Sequence, residues 1–222
     1  MDPVALMLAD SRFPGGGHVH SGGLEEAAAR RLVTDEASLR SFLVGRLRTA
    51  GALAAAFAAA ATGGGPDRAA HHAELDSELD ARTPSPAQRA ASRTQGRGIA
   101  RAARRAWPSR ALDDLLRVAP RPHHPVVVGL LVADPFEAAQ VVAYHAVTGP
   151  ATAAIRLLGL DPFGVNAVLA RLAGELDAVA RAAAAHAGTP PADLPAPGSP
   201  GLDLLAEAHD RHHREEVRLF VS

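Results

Sequence analysis

Residues 161–179 read DPFGVNAVLARLAGELDAV, and this stretch decides the class of fold. Asp161 followed by Pro162 is a helix-start signal, because an aspartate can cap the first turn and proline fits the first helical position. Behind it, apolar side chains recur at helical spacing on one stripe, with charged residues off it. The stripe comprises Val165, Val168, Leu169, Leu172, Leu176 and Val179. The stretch therefore predicts an amphipathic helix packed against other helices.

Similar start and stop signals divide the rest of the chain into helices. Residues 37–61 carry apolar residues at helical spacing behind Thr34 or Asp35, either of which can serve as N-cap. Residues 67–82 read as an acidic helix, and residues 85–107 as a helix that opens on Ser-Pro and ends before a proline. A fourth helix starts at Asp134, where Glu137 can reach back to complete a capping box.

Composition favours helices over sheets throughout. Hydrophobic residues make up 47% of the 222 residues, yet only six Phe, one Trp and one Tyr are aromatic, and much of the remainder is alanine. Alanine has the lowest cost in a helix and little preference for strands. We therefore predict an all-α fold: a single globular bundle of roughly eight to ten helices over residues 1–187.

The C-terminal part differs in composition from this bundle. Residues 188–201 contain five prolines, which predicts an extended linker. The 21 residues that follow are charged and rich in histidine. We expect residues 188–222 to form a Pro-rich linker and a C-terminal docking segment of the same domain, mobile until a partner binds it.

Charge and cysteine content exclude several classes of function. The net charge of −1 argues against a general nucleic-acid binder, and the absence of cysteine excludes disulfides and thiolate metal sites. The longest apolar runs, residues 52–61 and 126–133, are too short to span a bilayer, and no secretory signal is recognisable. A cytoplasmic protein without membrane contact is expected.

The most unusual stretch is the glycine-rich run at residues 13–25. Such a run before a helix can cradle phosphate on its backbone N–H groups, but a phosphate loop also needs a lysine, and this chain has none. No strand precedes the run, so a dinucleotide fingerprint fails as well. From the residues alone, a turn whose glycines take positive φ or allow close helix approach is the favoured interpretation.

Histidines raise the possibility of a metal site. Adjacent pairs, as at residues 71–72 and 123–124, point about 100° apart on a helix and cannot easily share one ion. Spacings of three or four can, which makes His209, His212 and His213 weak candidates for an open nickel or zinc site. A solvated polar tail is the favoured alternative.

Arginines at positions 89, 93, 97, 101 and 105 form a slowly curling stripe along one predicted helix. Like charges four residues apart repel, so an acidic counterpart is expected. Pairing with the five acidic residues at 67–80 is the favoured interpretation, and an acidic partner protein is the alternative. Ser, His and Asp occur in no spacing that indicates a triad, so we predict that the chain is not an enzyme.

Several motifs, in order, resemble the UreF family of urease accessory proteins. The pattern Pro-x-Gly-Gly-x-x-x-Ser-x-Gly-Leu-Glu is matched from Pro14 to Glu25 without a gap. Arg-x-x-Ser at 89–92, His-Pro-Val-Val-Val-Gly at 124–129 and Ala-Ala-Ile-Arg-Leu at 153–157 follow. The chain ends with Leu-Asp at 202–203 and Arg-Leu-Phe at 218–220. A terminal histidine of the family corresponds to His209 by one spacing and His212 by the other, which implies a three-residue insertion.

The resemblance implies a scaffold without a catalytic site or cofactor of its own. It would bind the accessory protein UreD (UreH) and the GTPase UreG, dimerise within that complex, and act in nickel delivery to apo-urease. The alternative is a metallochaperone whose histidines themselves carry nickel. The residues expected to bind partners are Pro14, Gly16, Gly17, His20, Ser21, Glu25, Arg97, Arg101, Arg156, Arg218, Leu219 and Phe220.

Overall fold

A computed structural model describes residues 2–15 and 20–219; the side chains of Pro66 and of residues 213–219 fall outside the description. Within these ranges the chain is helical and contains no strand, which confirms the predicted all-α class. The helices are α1 (Pro3–Ala9), α2 (Leu24–Ala29), α3 (Glu36–Arg46), α4 (Ala52–Ala61), α5 (Arg68–Ala81), α6 (Pro86–Ala106), α7 (Arg110–Val118), α8 (His124–Leu131), α9 (Pro135–Leu158), α10 (Pro162–Arg171), α11 (Ala173–Ala184) and α12 (Pro200–Leu219).

The N-termini of five helices lie where their start signals predict them. Side chains of Asp35, Asp67, Ser85, Asp134 and Asp161 each accept a hydrogen bond from a backbone N–H of the first turn. One detail is wrong: the Glu137 carboxylate does not reach back to its own N-cap but accepts a bond from Asp2 N–H at 2.7 Å. It thereby ties the start of α1 to the start of α9.

Two predicted helices are not regular α-helices over their whole length. α3 and α4 form one continuous helix through a π-helical turn at Leu47–Gly51. The stripe of residues 165–179 is divided between α10 and α11 at Leu172, whose ψ of −3° ends the first helix. The stripe still faces the core, because Val165, Val168 and Leu172 are buried and the remaining members pack against them.

Alanine-lined α4 is the centre of the bundle. Every residue from Ala55 to Ala61 is buried, and α8, α9 and α11 pack around the helix. Small side chains allow this close approach: a Cβ on Gly129 of α8 would lie 2.1 Å from the carbonyl oxygen of Ala58. At the C-terminal end of α4, the adjacent histidines His71 and His72 of α5 form hydrogen bonds with the carbonyl oxygens of Ala60 and Ala61. The last carbonyls of a helix lack the usual N–H partner within that helix.

The continuous helix Glu36–Ala61 is, by length and composition, long and apolar enough to cross a membrane. It is longer than the apolar run at residues 52–61, because α3 extends it at the N-terminal side. Half of its most apolar window is buried inside the bundle, and a single helix of this kind is weak evidence for a membrane span.

The Pro-rich segment is packed, not free. Pro191–Asp193 forms a 3-10 turn, and both Pro191 and Leu194 are buried. Arg82 holds the segment by donating to the carbonyl oxygens of Ala192 and Leu194. Proline prevents a regular helix here but leaves carbonyl groups free to accept these bonds, so the segment is held against the bundle where an extended linker was expected. α12 then packs on α2 and α6, and mobility of this segment before a partner binds stays a prediction.

Candidate functional site

A cavity of about 700 Å³ lies between the N-terminal loop, α6, α8, α9 and α12. Its wall combines apolar side chains such as Leu53 and Ile99 with polar ones such as His20, Ser21 and Arg46. Three segments that carry the family-like motifs contribute to it: the loop before α2, the N-terminal half of α6 and the start of α8. The cavity is therefore the place where sequence features far apart in the chain meet.

Arg46 connects the loop to α9. Its Nε donates to the carbonyl oxygen of Ala146 at 2.9 Å, and its Nη1 donates to that of Gly22 at 2.8 Å. The Ala146 carbonyl is available because Pro150, four residues later in α9, has no N–H to give it. Burial lowers the pKa of Arg46 to about 10. No carboxylate whose position is described lies within 4.0 Å of the guanidinium.

Gly22 leaves the space that the Arg46 side chain occupies. Gly22 has φ of +62°, and a Cβ at this position would lie 2.7 Å from Cζ of Arg46. The loop also crosses α6 closely, since a Cβ on Gly98 would lie 2.7 Å from the carbonyl oxygen of Gly15. These two positions bear out a glycine-rich turn that allows close approach.

Three histidines line the cavity beside Arg46. His145 Nε2 contacts the carbonyl oxygen of Leu8 at 2.9 Å and must donate to it, so Nδ1 accepts from His124 Nε2–H at 3.1 Å. Nε2 of His20 is buried without a hydrogen-bond partner among the described residues. Burial lowers the pKa of all three, and for His20 the charge of Arg46 lowers it further. The wall is therefore built to hold neutral imidazoles.

A second polar cluster lies behind this wall, between α5, α6 and the start of α8. Asp76, which is only 6% exposed, accepts from His123 N–H at 2.7 Å and from Arg93 Nη1 at 2.8 Å. Asp80 accepts from Arg93 Nη2 at 2.6 Å and lies 2.8 Å from His123 Nε2. Although partial burial disfavours its charge, these hydrogen bonds hold the pKa of Asp80 below its usual value. Each charge in this cluster has an opposite charge beside it.

The same cluster brings together a serine, a histidine and an aspartate, which spacing did not indicate. His123 Nδ1 lies 2.9 Å from Ser92 Oγ, while its Nε2 faces Asp80. Asp80 belongs to α5, Ser92 and Arg93 to α6, and His123 precedes α8. Because Arg93 also neutralises Asp80, the hydrogen bonds and the ion pair together join these three helices. Sequence spacing missed it because the three residues come from different elements.

The arginine stripe on α6 divides at this cluster. Arg89 and Arg93 pair with the acidic helix α5, as the favoured interpretation predicts. Arg97, Arg101 and Arg105 are exposed and make no ion pair with any described residue. Internal pairing therefore accounts for two of the five arginines of the stripe.

The C-terminal helix lies directly on the motif helix α2. His212 Nδ1 lies 3.1 Å from an oxygen of Glu26, which is 3% exposed, and His209 Nε2 lies 3.9 Å from an oxygen of Glu25. Both histidines thus face α2, one turn apart. Within the described part of the chain, no group of three or more His, Asp or Glu side chains could hold a metal ion. The side chain of His213 lies outside the description.

The remaining predicted site residues are scattered. Pro14, Arg97, Arg101 and Arg156 are exposed, whereas His20, Ser21 and Glu25 line the cavity. Gly16, Gly17 and Phe220 lie outside the described residues, as do the side chains of Arg218 and Leu219. The structure therefore places His20, Ser21 and Glu25 in one cavity wall, and the exposed arginines are not part of that lining.

Sequence reasoning missed Arg46, His145 and Glu26. Arg46 had a signal: it falls among Phe42, Leu43 and Leu47, so a charge lies within the apolar stripe of its helix. A proline within a helical pattern, at position 150, marked the carbonyl that Arg46 satisfies. His145 and Glu26 had no local signal.

Comparison with known proteins identifies the relatives of this chain. A family model described as UreF matches residues 33–173. The chain is 49% identical over 221 residues to urease accessory protein UreF of Mycobacterium sp. (strain JLS), covering 98% of this chain and 97% of that protein. It is 47% identical over 221 residues to the protein of that name from Mycolicibacterium vanbaalenii, covering 98% and 97%. With that of Mycobacterium tuberculosis it shares 47% over 229 residues, covering 99% and 98%.

Proposed function

This chain belongs to the UreF family of urease accessory proteins, and from that premise we propose that it acts in urease maturation as a non-enzymatic scaffold. The scaffold links UreD (UreH) to the GTPase UreG and acts in nickel delivery to apo-urease in the cytoplasm. It is a homodimer within that complex. Nickel and GTP are handled through the partners, so the chain needs no cofactor of its own.

The three exposed arginines of the stripe are the observation on which this proposal rests. Arg97, Arg101 and Arg105 repel one another along α6 and have no counter-charge among the described residues. An acidic surface on a partner would relieve that repulsion, and surface charges of this kind set the rate and specificity of docking. The motif loop crosses α6 at Gly98, between the first two of these arginines, so the basic stripe and the loop are adjacent.

Co-expression with UreD and UreG tests this part of the proposal. The double variant Arg97→Glu/Arg101→Glu should lose co-purification of a partner while its melting temperature stays near that of the wild type. Arg171→Glu is a matched control, because Arg171 is also exposed and unpaired among the described residues but lies on α10. Full retention of both partners by the double variant would contradict an acidic docking surface, whereas a large fall in melting temperature would show that the arginines support the fold.

The C-terminal segment is tested by a short truncation. Removal of everything after Pro200 would also remove contacts within the bundle, because Glu207 accepts from Ser85 Oγ at 2.5 Å and from Ala87 N–H at 3.0 Å. A chain ending at His212 keeps these contacts and lacks Arg218, Leu219 and Phe220. We expect it to fold normally and to lose UreD in a pull-down. Retained UreD binding would exclude this segment as the docking element.

A further inference from the structure

Arg46 lies in the cavity wall and has no counter-charge among the residues that the structure describes. Of its five N–H donors, one on Nε and one on Nη1 bond backbone carbonyls, which leaves three without a partner among the described residues. The other arginine that lines the cavity, Arg82, is neutralised by Glu78. Arg46 is half-buried in this wall, and a charge that is partly removed from water without an opposite charge beside it is stabilised when a ligand anion binds it.

Acidic side chains of the cavity wall do not compensate Arg46. Asp10 forms a bidentate ion pair with Arg12, and Glu25 lies beside His209. Asp210 lines the cavity too, and it lies more than 4.0 Å from the guanidinium. The neutral histidines His124 and His145 add no charge of either sign. The strongest unmatched charge in this wall is therefore positive.

The rest of the wall indicates what kind of anion fits. Apolar side chains line the same cavity, among them Leu8, Leu53, Ile99 and Val142. A volume of about 700 Å³ is within the usual range of small-molecule sites, which combine an apolar lining with a few polar groups. A guanidinium with free N–H groups matches the oxygens of a carboxylate or a phosphate, and the single charge of a carboxylate equals that of the one unmatched cation.

We infer that this cavity binds a small organic acid, with its carboxylate on Arg46 and its hydrocarbon chain against the apolar wall. The proposed occupant is a free acid, since α12 and the N-terminal loop contribute to the lining through Leu202, Ala206 and Ser21. A carboxylate side chain of a partner protein is the alternative that the test below separates from it. The inference does not depend on how the protein meets UreD or UreG.

A series of straight-chain acids tests the inference on the intact protein. Acetate, butyrate, hexanoate and octanoate are titrated while the fluorescence of Trp107 is followed. This residue is the chain's single tryptophan, and its ring stacks on Phe13 of the cavity wall with centroids 5.8 Å apart. Affinity should rise about fourfold for each added methylene until the cavity is full. Hexanol, which lacks the charge, should bind at least about tenfold more weakly than hexanoate.

Variants locate the binding site. Arg46→Gln should weaken hexanoate binding by about tenfold or more, whereas Arg48→Gln, on the same helix and paired with Glu175 at the surface, should leave it unchanged. Since Arg46→Gln also removes two bonds to the backbone, a second variant keeps the arginine and fills the space: Ala91→Phe, on the α6 wall, should abolish binding of octanoate. Circular dichroism verifies that both variants are folded.

Two results would overturn the inference. One is the absence of saturable binding by the wild type up to about 10 mM of any acid in the series. The other is equal affinity in the wild type, Arg46→Gln and Ala91→Phe, which would place the binding elsewhere. If no free acid binds but Arg46→Gln loses a partner protein, the arginine serves a protein carboxylate, and the inference is again wrong.

Discussion

Arg93 and Arg46 are both half-buried and both join helices through guanidinium bonds, yet their surroundings differ in one respect. Arg93 contacts Asp76 and Asp80, at 2.8 and 2.6 Å, within a cluster that also includes His123 and Ser92. Arg46 contacts only carbonyl oxygens and faces a cavity. In the first region every charge is satisfied inside the chain, whereas the second leaves a positive charge and the Nε2 of His20 without partners among the described residues.

The paired cluster around Arg93 supports the fold, whereas the charge of Arg46, unpaired among the described residues, is available for a function. A fully paired cluster fixes the relative positions of α5, α6 and α8, and it leaves no unpaired charge to bind a ligand. A wall with an unpaired cation costs stability, so its presence indicates a use beyond folding. The two regions share a short connection: His123 belongs to the first, and its neighbour His124 belongs to the second.

The largest effect is expected from removing the charge of Asp76. Asp76→Asn leaves Arg93 with a single carboxylate and weakens the bond to His123 N–H. Loss of one partner from a buried pair should lower the free energy of unfolding by about 3 kcal/mol. Urea denaturation measures this. Asp177→Asn is the matched control, because its pair with Arg181 is exposed and should cost less than about 1 kcal/mol. Equal costs would mean that the Asp76 cluster is not tightly satisfied.

A methyl group at Gly96 should disturb both regions at once. A Cβ there would lie 2.1 Å from the carbonyl oxygen of Pro122 and 2.8 Å from His124 N. Gly96→Ala should therefore push α6 away from α8 and cost about 1–3 kcal/mol, as overpacking does. Thermal unfolding measures the loss. Gly174→Ala on α11 meets no atom within 4 Å and should be neutral or stabilising by up to about 1 kcal/mol. A neutral Gly96→Ala would contradict the close contact.

Acid should destabilise the cavity wall through His124. Burial, then His145 and His20, hold the pKa of His124 well below 6.5 in the folded protein. As the pH falls below 6.5, the unfolded chain takes up a proton that the folded chain refuses, so the free energy of unfolding decreases. The contribution is fully present above pH 6.5 and declines below it by at most about 1.4 kcal/mol per pH unit.

His124→Gln sharpens this prediction, because glutamine keeps a donor for His145 but cannot be protonated. Urea denaturation at pH 7.5, 6.5 and 5.5 should show a shallower loss for the variant than for the wild type. Identical pH dependence in both would contradict a neutral imidazole at this position.

The smallest effect on stability is expected at the exposed arginines. Arg97→Glu/Arg101→Glu changes two side chains that pair with no described residue, so the free energy of unfolding should change by less than about 0.5 kcal/mol. Urea denaturation at pH 7.5 gives the value. A loss comparable to that of Asp76→Asn would place these arginines in the same structural role as Arg93.

Local signals predicted the helices well and the site poorly, for a physical reason. Caps such as Asp35, Asp134 and Asp161 bond backbone groups two or three residues away, so the chain displays them directly. Arg46 bonds a carbonyl 100 residues along the chain, and His123 N–H bonds a carboxylate 47 residues before it. Such pairs arise only once the bundle has brought distant elements together, so spacing cannot show them.

The Pro-rich segment illustrates the reverse case. Its composition predicted an extended linker over residues 188–201, within which the structure has a 3-10 turn at Pro191–Asp193 and the start of α12 at Pro200. Composition could not show that Leu194 is buried or that Arg82 would hold the segment to the bundle, because both depend on neighbours far away in sequence.

Urea unfolding of Arg93→Met beside Arg46→Met tests most directly the claim that one cluster is compensated and the other is not. Arg93→Met leaves Asp76 without its cation and leaves Asp80 with only the more distant Arg89, at 3.8 Å, and His123. Arg46→Met removes two bonds to carbonyls and a charge that has no counterpart among the described residues. Arg93→Met should therefore cost at least about 2 kcal/mol more than Arg46→Met. Equal losses, or a larger loss for Arg46→Met, would show that Arg46 has a counter-charge within the fold and would contradict the account.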